Sequence, residues 1–178
     1  ALSSATTGTS AERTAAVQFV LPVVIGLRMA ESLFEPRGLA AMLARVEALR
    51  PDSVRQWGKM DVAQMLAHCQ QPLRVALGEL PLRRGLLAIL FGRLAKRMLL
   101  SPKPWKNGMA TAPEFKVTDP RDFAKEKAAL RALVERFGRG GPAGLTKQPH
   151  PFFGTLTTDE WQALQWRHLD HHLRQFGC

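Results

Sequence analysis

Apolar residues recur along most of this chain at helical spacing, and the polar positions between them carry the caps and stops. Leu39, Met42, Leu43, Val46 and Leu49 follow the 3–4 rhythm of a helix over Leu39–Leu49, ended by Pro51 and Asp52. Asp61 can cap a second helix, Val62 to about Leu77, whose apolar stripe holds Val62, Met65, Leu66, Cys69 and Leu73. Pro72 lies inside it and removes the backbone bond to the His68 carbonyl, which predicts a kink. A third run, Leu82–Leu100, is apolar round most of its circumference and basic elsewhere. Leu86, Leu87, Leu90, Leu94 and Met98 are expected to pack inward, with the helix either sandwiched between neighbours or lying on a membrane surface. Asp119-Pro120 reads as a cap followed by proline at the first position of a fourth helix, which runs to Phe137 and is closed by Gly138. Thr157 and Glu160 have capping-box spacing for the last helix, which contains Trp161 to Phe176. No stretch alternates convincingly with period two. The expected fold class is therefore all-α, four long helices and a shorter first one packed as a bundle.

Two segments break the pattern. Ser101 to Pro113 is rich in Pro and Gly, and its length predicts a covering or functional loop. Gly138 to Gly154 is a second loop, with His150 between Pro149 and Pro151. Before the first helix, residues 1–16 are small and polar and read as disordered. Val17 to Leu27 is apolar, but it is too short to cross a bilayer and contains Pro22. The expected division is an extension over 1–28, as a disordered piece, a mis-assigned start or a targeting segment, and a helical domain over 29–178.

Composition narrows the function classes. The two cysteines, Cys69 and Cys178, make no disulfide framework, and a reducing cytoplasm is the simpler expectation. There is no CxxC, so a metal site would be built from His, Asp or Glu. Phosphate-binding glycine loops and the G-x-S-x-G elbow are absent. The net charge is +10, and no acid interrupts Arg83, Arg84, Arg93, Lys96, Arg97, Lys103 and Lys106 between Glu79 and Glu114. Such a patch attracts nucleic acid, anionic lipid or an anionic small molecule, or is simply a solvated face. Nothing resembling a nucleic-acid-binding motif accompanies it, so nucleic acid is not expected as a partner.

The densest chemistry is at the end of the chain, where His168, His171 and His172 account for three of the five histidines. His168 and His172 are one helical turn apart. With His168 at zero, Trp161 falls at roughly +20°, Leu164 at −40°, Gln175 at −20° and His172 at +40°. Both histidines thus lie in the apolar arc, His171 at its edge and Asp170 outside it. Two inward imidazoles can reach one metal ion, with Gln175 as an orienting partner. The alternative is a polar cluster in the core, or histidines helped by the helix dipole. By angle alone His68 sits on the flank of its stripe, where a histidine is usually structural or solvent-facing, and His150 reads as a loop residue. Asp170 can pair with Arg174, Glu160 belongs to its cap, and Cys69 points into the core.

Two separated stretches carry a family likeness. Trp57-Gly-Lys-Met-Asp-Val-Ala-Gln-Met-Leu-Ala-His68, and later Pro151-Phe-Phe-Gly-Thr-Leu-Thr with Glu160-Trp161 and His168-x-x-His171-His172-Leu-Arg-Gln-Phe176, resemble the DinB/YfiT-like superfamily. Within it they resemble a branch of unassigned function. The likeness covers roughly Glu31 to Gly177. It implies an up-down-down-up four-helix bundle, here with an extra short N-terminal helix, often dimeric. It also implies a divalent metal ion, nickel or zinc, held by one histidine of the second helix and an HxxxH pair of the last. Matched to this chain, those ligands are His68, His168 and His172. Characterised members include transferases that use low-molecular-weight thiols, and others are described as metal-dependent hydrolases. An anionic thiol as small-molecule partner, met by a basic rim of Arg93, Lys96 and Arg97, is the expectation that follows, with a homodimer as the assembly. The competing expectations are a non-catalytic interaction bundle, or a membrane-surface protein using helix Leu82–Leu100.

Overall fold

A computed structural model describes residues 32–82, 85–101, 103–109 and 111–178. The proposed extension, the apolar segment Val17 to Leu27 and the side chains of Leu86, Leu87 and Ile89 lie outside the described residues. The described chain is all-helical: α1 Pro36–Ala48, α2 Val62–Ala76, α3 Leu86–Leu99, α4 Phe123–Gly140 and α5 Thr158–Gln175, with single 3-10 turns at Pro113–Phe115 and Gly141–Gly144. Among the described residues the nearest thing to a sheet is one isolated bridge, His150 to Gly154.

Four of these helices close a ring. α1 packs on α4 and α5, and α2 packs on α4 and α5. The core runs through that ring as one cluster, including Met42, Val46, Met65, Leu66, Leu73, Leu130, Val134, Phe137, Leu169 and Leu173. The caps hold where the sequence places them. The Asp61 carboxylate accepts from the Gln64 amide at 2.8 Å and the Gln64 side chain returns to the Asp61 amide at 3.0 Å. Thr157 and Glu160 do the same at the start of α5. Each pair satisfies two amides that a helix start would otherwise leave bare.

α4 starts later than Asp119-Pro120 suggests. Asp119 is taken by Arg121 at 2.9 Å, and Asp122 is the residue that accepts from the Lys125 amide, at 2.7 Å. The helix also outruns Phe137. Gly138 lies inside it rather than beyond it, and Gly141, with φ +53°, follows the last turn. Gly138 is there because α1 comes so close: a Cβ would stand 2.7 Å from the Leu33 carbonyl oxygen and 2.6 Å from the Leu39 side chain.

α3 stands outside the ring, and the described part of its apolar stripe faces the opposite way from the one expected. Leu90, Leu94 and Met98 are 72%, 68% and 59% exposed. The inward side is instead Gly92 and Lys96. Gly92 is buried against the backbone of Phe152, and Lys96 reaches the Thr155 carbonyl at 3.1 Å and the Glu160 carboxylate at 2.7 Å. A glycine lets the helix approach the loop before α5, and a paired lysine pins it there. Leu90, Leu94 and Met98, which that narrow contact cannot hold, are left outside. No described helix is long and apolar enough to cross a membrane.

Candidate metal centre

α2 lies between α4 and α5 and is buried on almost every side, so the angle of a residue on it says little about exposure. His68, placed on the flank by periodicity, is only 3% exposed. Its ring stands between a backbone carbonyl and a second imidazole. Nδ1 is 2.9 Å from the carbonyl oxygen of Phe115, and Nε2 is 3.0 Å from Nε2 of His168 on α5. A carbonyl only accepts, so Nδ1 carries the hydrogen and Nε2 offers a lone pair.

His172 is fixed in the same sense by a longer chain. The side-chain nitrogen of Gln175 donates to the Trp57 carbonyl at 2.6 Å, which turns its oxygen toward His172, where Oε1 is 2.9 Å from Nδ1. His172 therefore also holds its hydrogen on Nδ1 and leaves Nε2 bare. The loop before α2 closes this arrangement. The Gln56 amide donates to the Gln175 carbonyl at 2.8 Å. Gly58, at φ +82°, lies so near that a Cβ there would be 2.5 Å from the Gln175 amide nitrogen.

One ligand atom from each of His68, His168 and His172 lies within 4.8 Å of the others, so these three can share a metal ion. The donor set fits one. Two ligand nitrogens about 2 Å from a tetrahedral ion stand roughly 3.3 Å apart; the His68 and His168 Nε2 atoms are at 3.0 Å. His168 Nδ1 is enclosed with no hydrogen-bond partner among the described residues. With its hydrogen on Nδ1, His168 would face His68 with opposed lone pairs, which a cation relieves. With its hydrogen on Nε2 it would bond to His68 but leave a bare buried acceptor. Burial drives all three toward the neutral form a metal needs. It lowers His68 against the opposing pull of the Phe115 carbonyl, and lowers His168 well below the ordinary value, with the other histidines adding to it. His172 is pushed down to about 3 by burial and by His68, against the pull of Gln175.

His171 is not part of the cluster. It is half-buried beside it, its ring 5.6 Å from that of Trp57 and 5.8 Å from that of Trp105. Asp170 does more than pair with Arg174: it meets Arg45 at 2.9 Å and Arg174 only at 3.8 Å, so it ties α5 to α1. Cys69 is buried against the Met65 sulfur, its thiol pushed far up by burial, as a core residue should be.

The histidines border a cavity of about 450 Å³. Trp105, Met109, Phe115, Phe152, Phe153 and Leu164 make most of its remaining wall, and among the described residues no Lys, Arg, Asp or Glu lines it. The Ser101–Pro113 loop thus covers the site, as its length suggests. Trp105 is held there by donating its indole hydrogen to the Leu99 carbonyl at 2.9 Å. The expected basic rim does not reach the cavity: Lys96 is paired to Glu160, and Arg93 and Arg97 are exposed on α3. His150, read from sequence as a loop residue, is buried in the cavity wall. Periodicity could not have found it, and its one signal was a histidine fixed between two prolines. A family model described as a protein of unknown function (DUF1569) matches residues 30–177. No curated protein and no solved structure matches the chain.

Proposed function

We propose that this chain, which belongs to the family of unknown function DUF1569, holds a divalent metal ion on His68, His168 and His172 and acts with it on a small molecule in the adjoining cavity. The observation that carries the reading is the pair of fixed tautomers. Phe115 and Gln175 each take the Nδ1 hydrogen of one imidazole, so that His68 and His172 offer Nε2 lone pairs to one point beside His168. The resemblance to the DinB/YfiT-like proteins supports the same three ligands, with nickel or zinc as the ion and a transferase or hydrolase as the reaction class. A divalent ion on three imidazoles supplies Lewis acidity and lowers the pKa of a bound water or thiol. The chain's own residues supply a chamber walled largely by aromatic and aliphatic side chains, which suits an apolar body in the substrate better than a carboxylate-rich one.

The test is metal content per chain in untagged protein, wild type beside His68→Ala and His172→Ala. About one equivalent in wild type, lost in both variants, is expected. Wild type that takes up neither zinc nor nickel after incubation with their salts would end the reading.

A second reading rests on α3. The exposed residues Leu90, Phe91, Leu94 and Met98 share one side of the helix, and Arg93 and Arg97 are exposed beside them. That composition supports contact with an anionic lipid surface. Co-sedimentation with vesicles rich in phosphatidylserine at low salt, reduced by Leu94→Glu, is the expected result. Protein that stays in solution would remove this reading and leave the metal centre untouched.

A further inference from the structure

The loop between α4 and α5 builds a rigid seat for one side chain. The His150 amide donates to the Gly154 carbonyl at 2.9 Å, and the Gly154 amide returns to the His150 carbonyl at 3.0 Å. Inside this closed turn the imidazole folds back, and its Nδ1 accepts from two successive amides, Phe152 at 3.1 Å and Phe153 at 3.3 Å. The ring stacks on Phe153 with centroids 4.4 Å apart and tilts against Trp161 at 5.3 Å. It is 3% exposed and forms part of the wall of the cavity beside the histidine cluster.

These contacts decide where the hydrogen is. An amide only donates, so an Nδ1 that accepts from two amides carries no hydrogen, and a neutral ring must then carry it on Nε2. Among the described residues nothing accepts from that Nε2. Burial agrees with this state by pushing the ring down to about 4, so it stays neutral across the physiological range. Among the described residues the remaining polar side chains of the cavity are few: Thr111, the clustered histidines and His171, with the Trp105 indole already committed to Leu99.

We propose that His150 is a substrate-binding residue, presenting a fixed neutral Nε2–H donor to an acceptor oxygen, such as a carbonyl, on an otherwise apolar or aromatic ligand in this cavity. The donor is held by backbone amides and two aromatic rings rather than by flexible side chains, so little reorganisation accompanies binding. It also explains why a histidine rather than an apolar residue fills this part of an aromatic wall. The inference deepens the reading of the cavity as the substrate chamber, and does not depend on the metal.

The experiment uses the whole chain freed of metal by chelation, with two probes of matched shape: acetophenone, which carries a carbonyl, and isopropenylbenzene, which has a methylene in its place. Ring nitrogen–proton correlation spectra are expected to show His150 hydrogen on Nε2, shifted by acetophenone and not by the hydrocarbon. The affinity ratio of the two probes is expected to fall about tenfold in His150→Asn, which keeps an acceptor for the Phe152 and Phe153 amides but does not reach the cavity. A hydrogen on Nδ1, a ratio unchanged by the substitution, or exclusion of both probes at millimolar concentration would overturn the proposal. Zinc uptake by His150→Asn should equal that of wild type. A wild type that takes up no zinc yet still discriminates the probes would sink the metal centre and leave this donor standing.

Discussion

Gln175 accepts the Nδ1 hydrogen of His172 at 2.9 Å because its own amide nitrogen is committed to the Trp57 carbonyl at 2.6 Å. The loop before α2 therefore sets the tautomer of a histidine near the end of the last helix. Gln175→Leu should leave the bundle folded and lower zinc affinity by about 10- to 100-fold, the usual cost of losing an orienting partner. Gly58→Ala should act the same way from the other side. It strains a residue at φ +82° and drives a Cβ to 2.5 Å from the Gln175 amide nitrogen. Competition against a chromophoric chelator measures both, and wild-type affinity in Gln175→Leu would show that the amide does not orient the ring.

Gly138 tests the packing of α1 on α4. Alanine is intrinsically the better helix residue by about 1 kcal/mol. Here, though, its Cβ would meet the Leu33 carbonyl oxygen at 2.7 Å. Backbone cannot step aside as a side chain can, and overpacking of this kind costs about 1–3 kcal/mol. Packing should win, and Gly138→Ala should lower Tm by a few degrees; a higher Tm would mean that α1 is free to move away.

Local signals in the sequence carried furthest. The caps at Asp61 and Thr157 need only neighbours three residues on, and they stand where the sequence puts them. The pairing of His168 with His172 likewise follows from one turn of one helix. His68 was legible only through its motif, because a stripe angle means little on a helix enclosed by others. The orientation of α3 was misread for the converse reason: among its described side chains the contact with the loop before α5 is a glycine and a paired lysine, which no hydrophobicity pattern marks as inward. The start of α4 depended on which of two aspartates was free to cap, and the Arg121 pair that occupies Asp119 is a matter of geometry. His150 lies in a loop, where no period exists to read.

Gly92 is the narrowest point between α3 and the wall of the cavity. A Cβ there would be 2.1 Å from the Phe152 carbonyl oxygen. α3 makes few contacts with the ring, so Gly92→Ala should cost little global stability and instead push the helix away from the segment that seats His150. The expected signature is a near-native Tm together with severalfold faster loss of bound zinc to an external chelator. A large drop in Tm would show that α3 is integral to the bundle.

Acid should weaken the metal-free protein through its buried histidines. Burial holds His150 down at about 4 and His172 at about 3, against an ordinary value of 6.5. The native state keeps these rings neutral, while the unfolded chain takes up protons as the pH falls through 6.5. Between 6.5 and the folded values the unfolded state binds more protons, so stability rises with pH across that window. The contribution is whole above 6.5 and is lost progressively toward pH 4. For His150, the gap between 6.5 and about 4 corresponds to about 3 kcal/mol. Burial is the cause, and the seat is arranged in the same sense: protonating the ring would put a hydrogen on Nδ1, where two amides already donate. Urea unfolding of the metal-free protein at several pH values between about 7.5 and 4.5 should show stability falling steadily with acid. His150→Asn cannot take up this proton and should fall less. Parallel curves for the two proteins would show that the ring is not held neutral by its loop.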